Sequence, residues 1–289
     1  MKKTLLVLFL LSFGFVNAQL ENGMVAHFPF NGSFNDISPS AIVATNTGAT
    51  FGPDRNLDPN SALDLNQNQY VSFNSNAIKP DLPLTISVWA KFDSFNESNF
   101  IFSSDQVYGN YWGYWFHTTP STGQVAINYG AGLGGVSSSN RRSFVTNLQL
   151  STGVWYHIVA IIRSSNDMSI YVNCNPQNGV YSGTGSTSIA YSNSDSRFGS
   201  SLGQPSQPSG WSCEGSLDQL VIWERALNAN EITSLCRLTT TLGVEELQKT
   251  PKELVKIVNV LGQEVKATPN TPLIYIYSDG STEKVLIVE

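Results

Sequence analysis

Residues Thr85–Phe92 read TISVWAKF, with Ile86, Val88 and Ala90 on one side of an extended segment and Trp89 and Lys91 on the other. A strand turns successive side chains to opposite faces, so this period of two marks a half-buried strand. The pattern recurs at Gly113–His117 (GYWFH), Gln124–Tyr129 (QVAINY), Trp155–Ile162 (WYHIVAII), Met168–Asn173 (MSIYVN) and Leu217–Trp223 (LDQLVIW). Gly, Asn, Ser and Pro separate these runs. Short strands punctuated in this way predict an all-β chain folded as a two-sheet jelly-roll sandwich. Pro176-Gln177-Asn178-Gly179 reads as a hairpin turn, because Asn-Gly tolerates positive φ. One short helix is expected at Asn228–Leu235, with Asn228 as its cap and Glu231 completing a capping box. Strands do not alternate with helices, which argues against a doubly wound fold.

Outward from this body the composition changes at both ends. Lys2 and Lys3 precede a short apolar run, Leu5–Val16, which closes on Val16-Asn17-Ala18. That is the pattern of a secretory signal peptide over residues 1–18, and the run is too short to span a bilayer. The main domain is expected over residues 19–240 and a linker over 241–253. Residues 254–289 then read as a small separate β-module. Within it, Ser278-Asp279-Gly280-Ser281 is predicted to turn between two strands. No other stretch is apolar enough for a transmembrane span, so an exported chain, secreted or held at the outer surface, is expected.

Charged residues make up only 13% of the 289, and the formal net charge is −6. Nucleic acid is excluded as a partner, since binding it needs a basic patch to neutralise phosphates. Arg141-Arg142 is the one adjacent basic pair after the signal segment. The three cysteines, Cys174, Cys213 and Cys236, permit at most one internal disulfide, and their spacing is not that of a zinc site.

Met24–Gly32 (MVAHFPFNG) with Asn35-Asp36, Thr85–Trp89, Trp155–Ala160 and Glu214–Leu227 (EGSLDQLVIWERAL) follow one another in an order that resembles LamG-like jelly-roll domains. These domains belong to the concanavalin A-like lectin/glucanase superfamily, and the likeness covers roughly residues 20–237. The resemblance implies a binding domain and a calcium ion held by Asn35, Asp36 and Asp218. Gln219 stands where the family often has a second acid. It also implies a disulfide between Cys213 and Cys236, the arrangement of laminin-type G domains. At the other end, Val255–Val265 and Asn270–Gly280 resemble the C-terminal sorting domain of type IX secretion substrates in Bacteroidota. That likeness implies the secretion machinery as a partner.

Glycosidases of the superfamily resemble one another in a Glu-x-Asp-x-Glu strand whose carboxylates act together, and this chain has none. Its histidines, His27, His117 and His157, each lie in an aromatic strand with no nucleophile in a recognised order. Binding is therefore expected over catalysis. The candidate contact residues are Tyr111, Trp112, Tyr114 and Trp115 in the densest aromatic run, with Trp211 in a Pro-Ser-Gly loop. Flat rings beside amides and hydroxyls suit the apolar face of a sugar. A carbohydrate or surface glycoconjugate is the expected partner, with a glycoside hydrolase and a protein-binding adhesin as the alternatives.

Overall fold

A computed structural model of the chain describes residues 19–105, 109–201, 212–240, 254–259, 262–268, 270–277 and 282–286. The signal segment, the linker, Trp211 and the Ser278–Ser281 turn lie outside the described residues. The chain divides into two compact units, residues 1–240 and 241–289.

In chain order the strands of the first unit begin with β1 (Met24–Phe28), β2 (Thr45–Thr47), β3 (Thr50–Gly52), β4 (Ala62–Leu65), β5 (Tyr70–Phe73) and β6 (Leu84–Phe92). Then come β7 (Phe100–Ser103), β8 (Tyr114–Thr118), β9 (Gln124–Gly130), β10 (Arg141–Gln149), β11 (Trp155–Ser164) and β12 (Asp167–Val172). The last four are β13 (Asn175–Pro176), β14 (Gly179–Gly183), β15 (Ser196–Phe198) and β16 (Gly215–Trp223), followed by helix α1 (Ala229–Thr240). They form two eight-stranded antiparallel sheets. The first runs β13-β12-β11-β6-β16-β4-β3 with β1 on β16; the second runs β14-β10-β9-β8-β7-β15-β5-β2.

The sheets close on one apolar core because their alternations agree. Ile86, Val88 and Ala90 of β6 are fully buried beside Ile158, Ala160 and Ile162 of β11, and Phe102, Tyr114, Phe116 and Ile127 face them from the second sheet. Phe198 lies at the centre of a ring cluster, 4.7 Å from Phe28 and 4.8 Å from Phe73 between centroids. Each such pair adds about 0.5–1.5 kcal/mol beyond the area it buries.

Helix α1 starts as its sequence predicts. Asn228 Oδ1 accepts from the backbone N–H of Asn230 and Glu231, and Glu231 Oε2 accepts from Asn228 N–H at 2.8 Å. Ile232, Leu235 and Cys236, at helical spacing, pack on Val159, Ile161, Val221 and Trp223, which project from the first sheet away from the core.

Two expectations are corrected. The disulfide joins Cys174 to Cys236, with 5.9 Å between their Cα atoms, while Cys213 is a free, buried thiol. Cys213 belongs to the core between the sheets and Cys236 to the cluster under α1, so the first sheet stands between them. The second correction concerns Pro176–Gly179, which crosses from β13 in one sheet to β14 in the other instead of making a hairpin. The hairpin lies earlier, between β12 and β13, where Asn173 and Cys174 take φ of 47° and 69°. Two successive positive φ values are what a tight two-residue hairpin requires.

The second unit contributes β17 (Leu254–Asn259), β18 (Pro272–Tyr277) and β19 (Thr282–Leu286), a three-stranded antiparallel sheet.

Candidate functional site

Directly paired residues of antiparallel strands share a face. Following the pairs across the second sheet gives one row that touches every strand: Thr45, Ser72, Arg197, Ser103, Trp115, Asn128, Ser143 and Ser182. Their chain neighbours Val71, Phe198, Phe102, Phe116, Ile127, Phe144 and Tyr181 lie in or against the core. The row is therefore on the opposite face, and it consists of hydroxyls, one amide, one guanidinium and one indole. Its middle is covered: Ser103, Trp115, Asn128 and Ser143 are 0–3% exposed. Toward one edge the row opens, with Ser72 and Arg197 half-buried and Thr45 exposed; at the other edge Ser182 is exposed.

The aromatic run divides between the two faces. Tyr114 is part of the core, its hydroxyl donating to the Ile78 carbonyl at 3.0 Å, so it makes no ligand contact. Trp115 points the other way and stacks on Tyr111, with centroids 5.4 Å apart and planes 13° apart. The Arg141 guanidinium lies 5.5 Å from the Tyr111 ring centroid and donates to Ser143 Oγ. Tyr111 is thus held by an indole and a cation.

Beside it, Trp112 is half-buried against Gly132, whose φ of +67° and lack of Cβ allow the ring to approach; a Cβ there would come within 2.7 Å of the indole. Gly132 N–H donates to the Tyr111 carbonyl at 3.1 Å, and Gly135 N–H donates to Asn110 Oδ1 at 2.9 Å. These bonds tie the aromatic loop to the Gly-rich loop 131–135. The tied loops form a rim on which Leu133 and Val136 are 73% and 62% exposed.

Burial explains the histidines. His157 is pushed down to about 4 chiefly by desolvation; its Nε2 lies 2.9 Å from Ser87 Oγ and its Nδ1 3.5 Å from Cys236 Sγ. His117 is also pushed down to about 4 by burial, stacks on Phe100 at 5.1 Å, and donates from Nδ1 to the Thr118 carbonyl. Both are neutral packing residues at physiological pH.

The three residues proposed for calcium do not fit the ion. Asp36 Oδ1 accepts from His27 and Ser38 N–H, and Oδ2 from Ser38 Oγ and Ile42 N–H, all at 2.8–3.0 Å. Those four donors occupy the lone pairs a hard cation would need. Asn35 is exposed on the same loop. Asp218, on the outer face of the first sheet, binds Arg55 through Oδ2, and the Arg55 guanidinium lies 4.8 Å above the Trp89 ring. Among the described residues no three His, Cys, Asp or Glu side chains gather as a metal site.

The bulge that places Asp218 falls between Asp218 and Val221, where Gln219 has φ +49° and offers Oε1 to His27 Nε2 at 3.0 Å. Burial, with the charge of Asp54 adding to it, pushes the Asp218 carboxyl up to about 7 against the pull of Arg55.

Two antiparallel sheets closed on one core, with a polar row on one outer face and a short helix on the other, define a jelly-roll sandwich of the lectin type. Residues 65–233 match the laminin G-like family described as the concanavalin A-like lectin/glucanases superfamily, and the chain belongs to that family. Three solved structures show the breadth of the fold. The binding domain of Paraclostridial Mosquitocidal Protein 1 is 16% identical with a TM-score of 0.58, the match covering 90% of this chain and 64% of that one. Domain 4 of AbnA, a GH43 extracellular arabinanase from Geobacillus stearothermophilus solved in complex with arabinotriose, is 18% identical with a TM-score of 0.52, covering 74% and 98%. A botulinum neurotoxin type C structure, whose cell entry depends on two ganglioside molecules, is 12% identical with a TM-score of 0.55, covering 90% and 63%. The chain therefore spans under two thirds of the length of the two toxin structures. No curated protein sequence matches. No helix among the described residues is long and apolar enough to cross a membrane.

Sequence reading names Tyr111, Trp112 and Trp115 as candidate contacts, of which Trp115 is covered, and does not name the half-buried Ser72 and Arg197 or the covered Asn128 and Ser143 of the same row. The polar positions of QVAINY carried part of that signal. Which strands stand side by side carried the rest, and that is not written in any one strand.

Proposed function

We propose that this chain binds carbohydrate on the outer face and rim of its second sheet. The observation that carries the reading is the polar row crossing all eight strands, open where Thr45, Ser72 and Arg197 reach solvent. The hydroxyl and guanidinium groups at that open edge match a sugar's ring of hydroxyls, and half-buried Trp112 at the rim supplies an apolar surface for its C–H face. The arabinotriose and gangliosides of the two structural relatives are consistent with this use of the fold, although fold alone does not assign a ligand.

A broad glycan array probed with the full chain tests the reading: a reproducible subset of glycans binds, and a blank array refutes it. Exposed Leu133 and Val136 favour the adhesin as the second reading. It predicts a blank array together with capture by a protein surface.

The chain is also proposed to leave the cell by way of its C-terminal unit. The support is the sequence likeness of Val255–Val265 and Asn270–Gly280 to type IX sorting domains, together with the separation of residues 241–289 as a unit. Deleting residues 244–289 then traps the protein in the periplasm, and normal export of the truncated chain refutes it.

A further inference from the structure

Arg197 differs from the other arginines. Six arginines have described side chains, and five of them reach an oxygen. Arg55 meets Asp218, Arg141 meets Ser143, Arg142 meets the Ser165 and Gly183 carbonyls, Arg163 meets Asp167, and Arg225 meets Glu231 and two carbonyls. Arg197 makes no hydrogen bond or ion pair with any described residue, and its Nε is buried with no partner. The nearest acid in sequence, Asp195, is exposed and accepts from Asn74 Nδ2 at 3.0 Å.

The guanidinium is nonetheless held in place. Its Cζ lies 4.1 Å from the Tyr70 ring centroid, a cation–π contact that restricts the side chain. Ser72 and Ser103 flank it as direct strand partners, and Thr45 follows Ser72 in the same row. A half-buried cation stripped of part of its water and given no acceptor is costly unless an acceptor arrives from outside. Desolvation accordingly lowers the Arg197 pKa, opposed by Tyr70 and Asp195. The planar fork of donors fits an oxyanion in a two-pronged way that lysine cannot reproduce.

We propose that Arg197 anchors an anion subsite within the carbohydrate face, taking a carboxylate or sulfate group carried on the bound saccharide while the Ser72 and Thr45 hydroxyls meet its neighbouring oxygens. The proposal rests on the carbohydrate reading above and narrows it to acidic sugars. The protein's net charge of −6 gives no general attraction for polyanions, so selectivity must come from this one position.

The test is calorimetry on the full chain with three probes: tetragalacturonate for the carboxylate, a sulfated galactan tetrasaccharide for the sulfate ester, and cellotetraose as the neutral control. Wild type binds one of the acidic probes about tenfold or more tighter than the neutral one, and which of the two wins identifies the anion. Arg197→Gln removes that preference, bringing the affinity for the acidic probe down to that for the neutral one. Arg197→Lys, which keeps the charge but not the fork, restores it only in part, and a melt of each variant verifies folding. Equal binding of acidic and neutral probes, or an acidic affinity untouched in Arg197→Gln, overturns the subsite while the carbohydrate reading stands. Failure of every glycan, on the array as well as in calorimetry, overturns both.

Discussion

Each sheet turns one face to the core and one away from it, and the two outward faces are finished differently. On the first, Arg55 lies over Trp89 and its charge is met by Asp218, while α1 covers Val159, Ile161, Val221 and Trp223 and is fastened by Cys174–Cys236. On the second, Arg197 lies over Tyr70 in the same manner, but no carboxylate among the described residues hydrogen-bonds to it, Asp195 acting only through its charge, and the row around it opens to solvent toward one edge. A cation on an aromatic ring is common to both. The counter-ion distinguishes a cation used for architecture from one left for a partner.

The largest expected effect lies on the covered face. Cys236→Ser frees a loop spanning 62 residues and lowers stability by about 2–4 kcal/mol, read from denaturant melts. The pairing itself is checked by thiol labelling without reductant. Burial raises the Cys213 thiol, so the folded chain reacts slowly and exposes one reactive thiol on unfolding. Rapid labelling of Cys174 in the folded protein would mean a different bridge.

Next comes Arg55→Ala, which leaves the Asp218 carboxylate buried alone and costs about 3 kcal/mol at pH 8. The loss is smaller at pH 5, where the lone acid is protonated. In the wild type the Asp218 carboxyl, raised to about 7 from an ordinary 3.8, keeps a proton that the unfolded chain has already released. The native state therefore binds more protons between those values, and stability falls as pH rises through that window. Asp218→Asn flattens that slope, and an unchanged slope would show that another group produces it.

On the open face the balance reverses. Arg197→Gln changes stability by less than about 1 kcal/mol, because it forfeits a cation–π contact and no hydrogen bond. A loss of several kcal/mol there would make the two arginines alike and erase the contrast. Smallest of all is Leu133→Ser on the rim, expected within about 0.5 kcal/mol by melting because the side chain is 73% exposed. Loss of glycan binding in that variant would make Leu133, and not the polar row, the main contact.

Much of the sandwich is legible in the sequence alone. Alternation in TISVWAKF placed Ile86, Val88 and Ala90 inward and Trp89 and Lys91 outward, as they stand in β6. The capping residues Asn228 and Glu231 located the start of α1. The same parity separated Tyr114 and Phe116 from Trp115, yet it could not say which side was core, and so Tyr114 entered the contact set wrongly. The disulfide failed for a related reason. Cys213 is the nearer cysteine to Cys236 in sequence but lies on the opposite side of one sheet, whereas Cys174, 62 residues from Cys236, sits at a hairpin tip within reach.

Local chemistry, namely side-chain parity along a strand, turn residues and helix caps, depends on residues a few positions apart, and it settled the strands, the helix and the all-β class. Contacts between distant segments follow from strand order and register, which no single segment encodes. Thr45, Ser72, Ser103 and Arg197 become neighbours only when β2, β5, β15 and β7 are laid side by side, and only that arrangement shows that no described carboxylate bonds the Arg197 guanidinium.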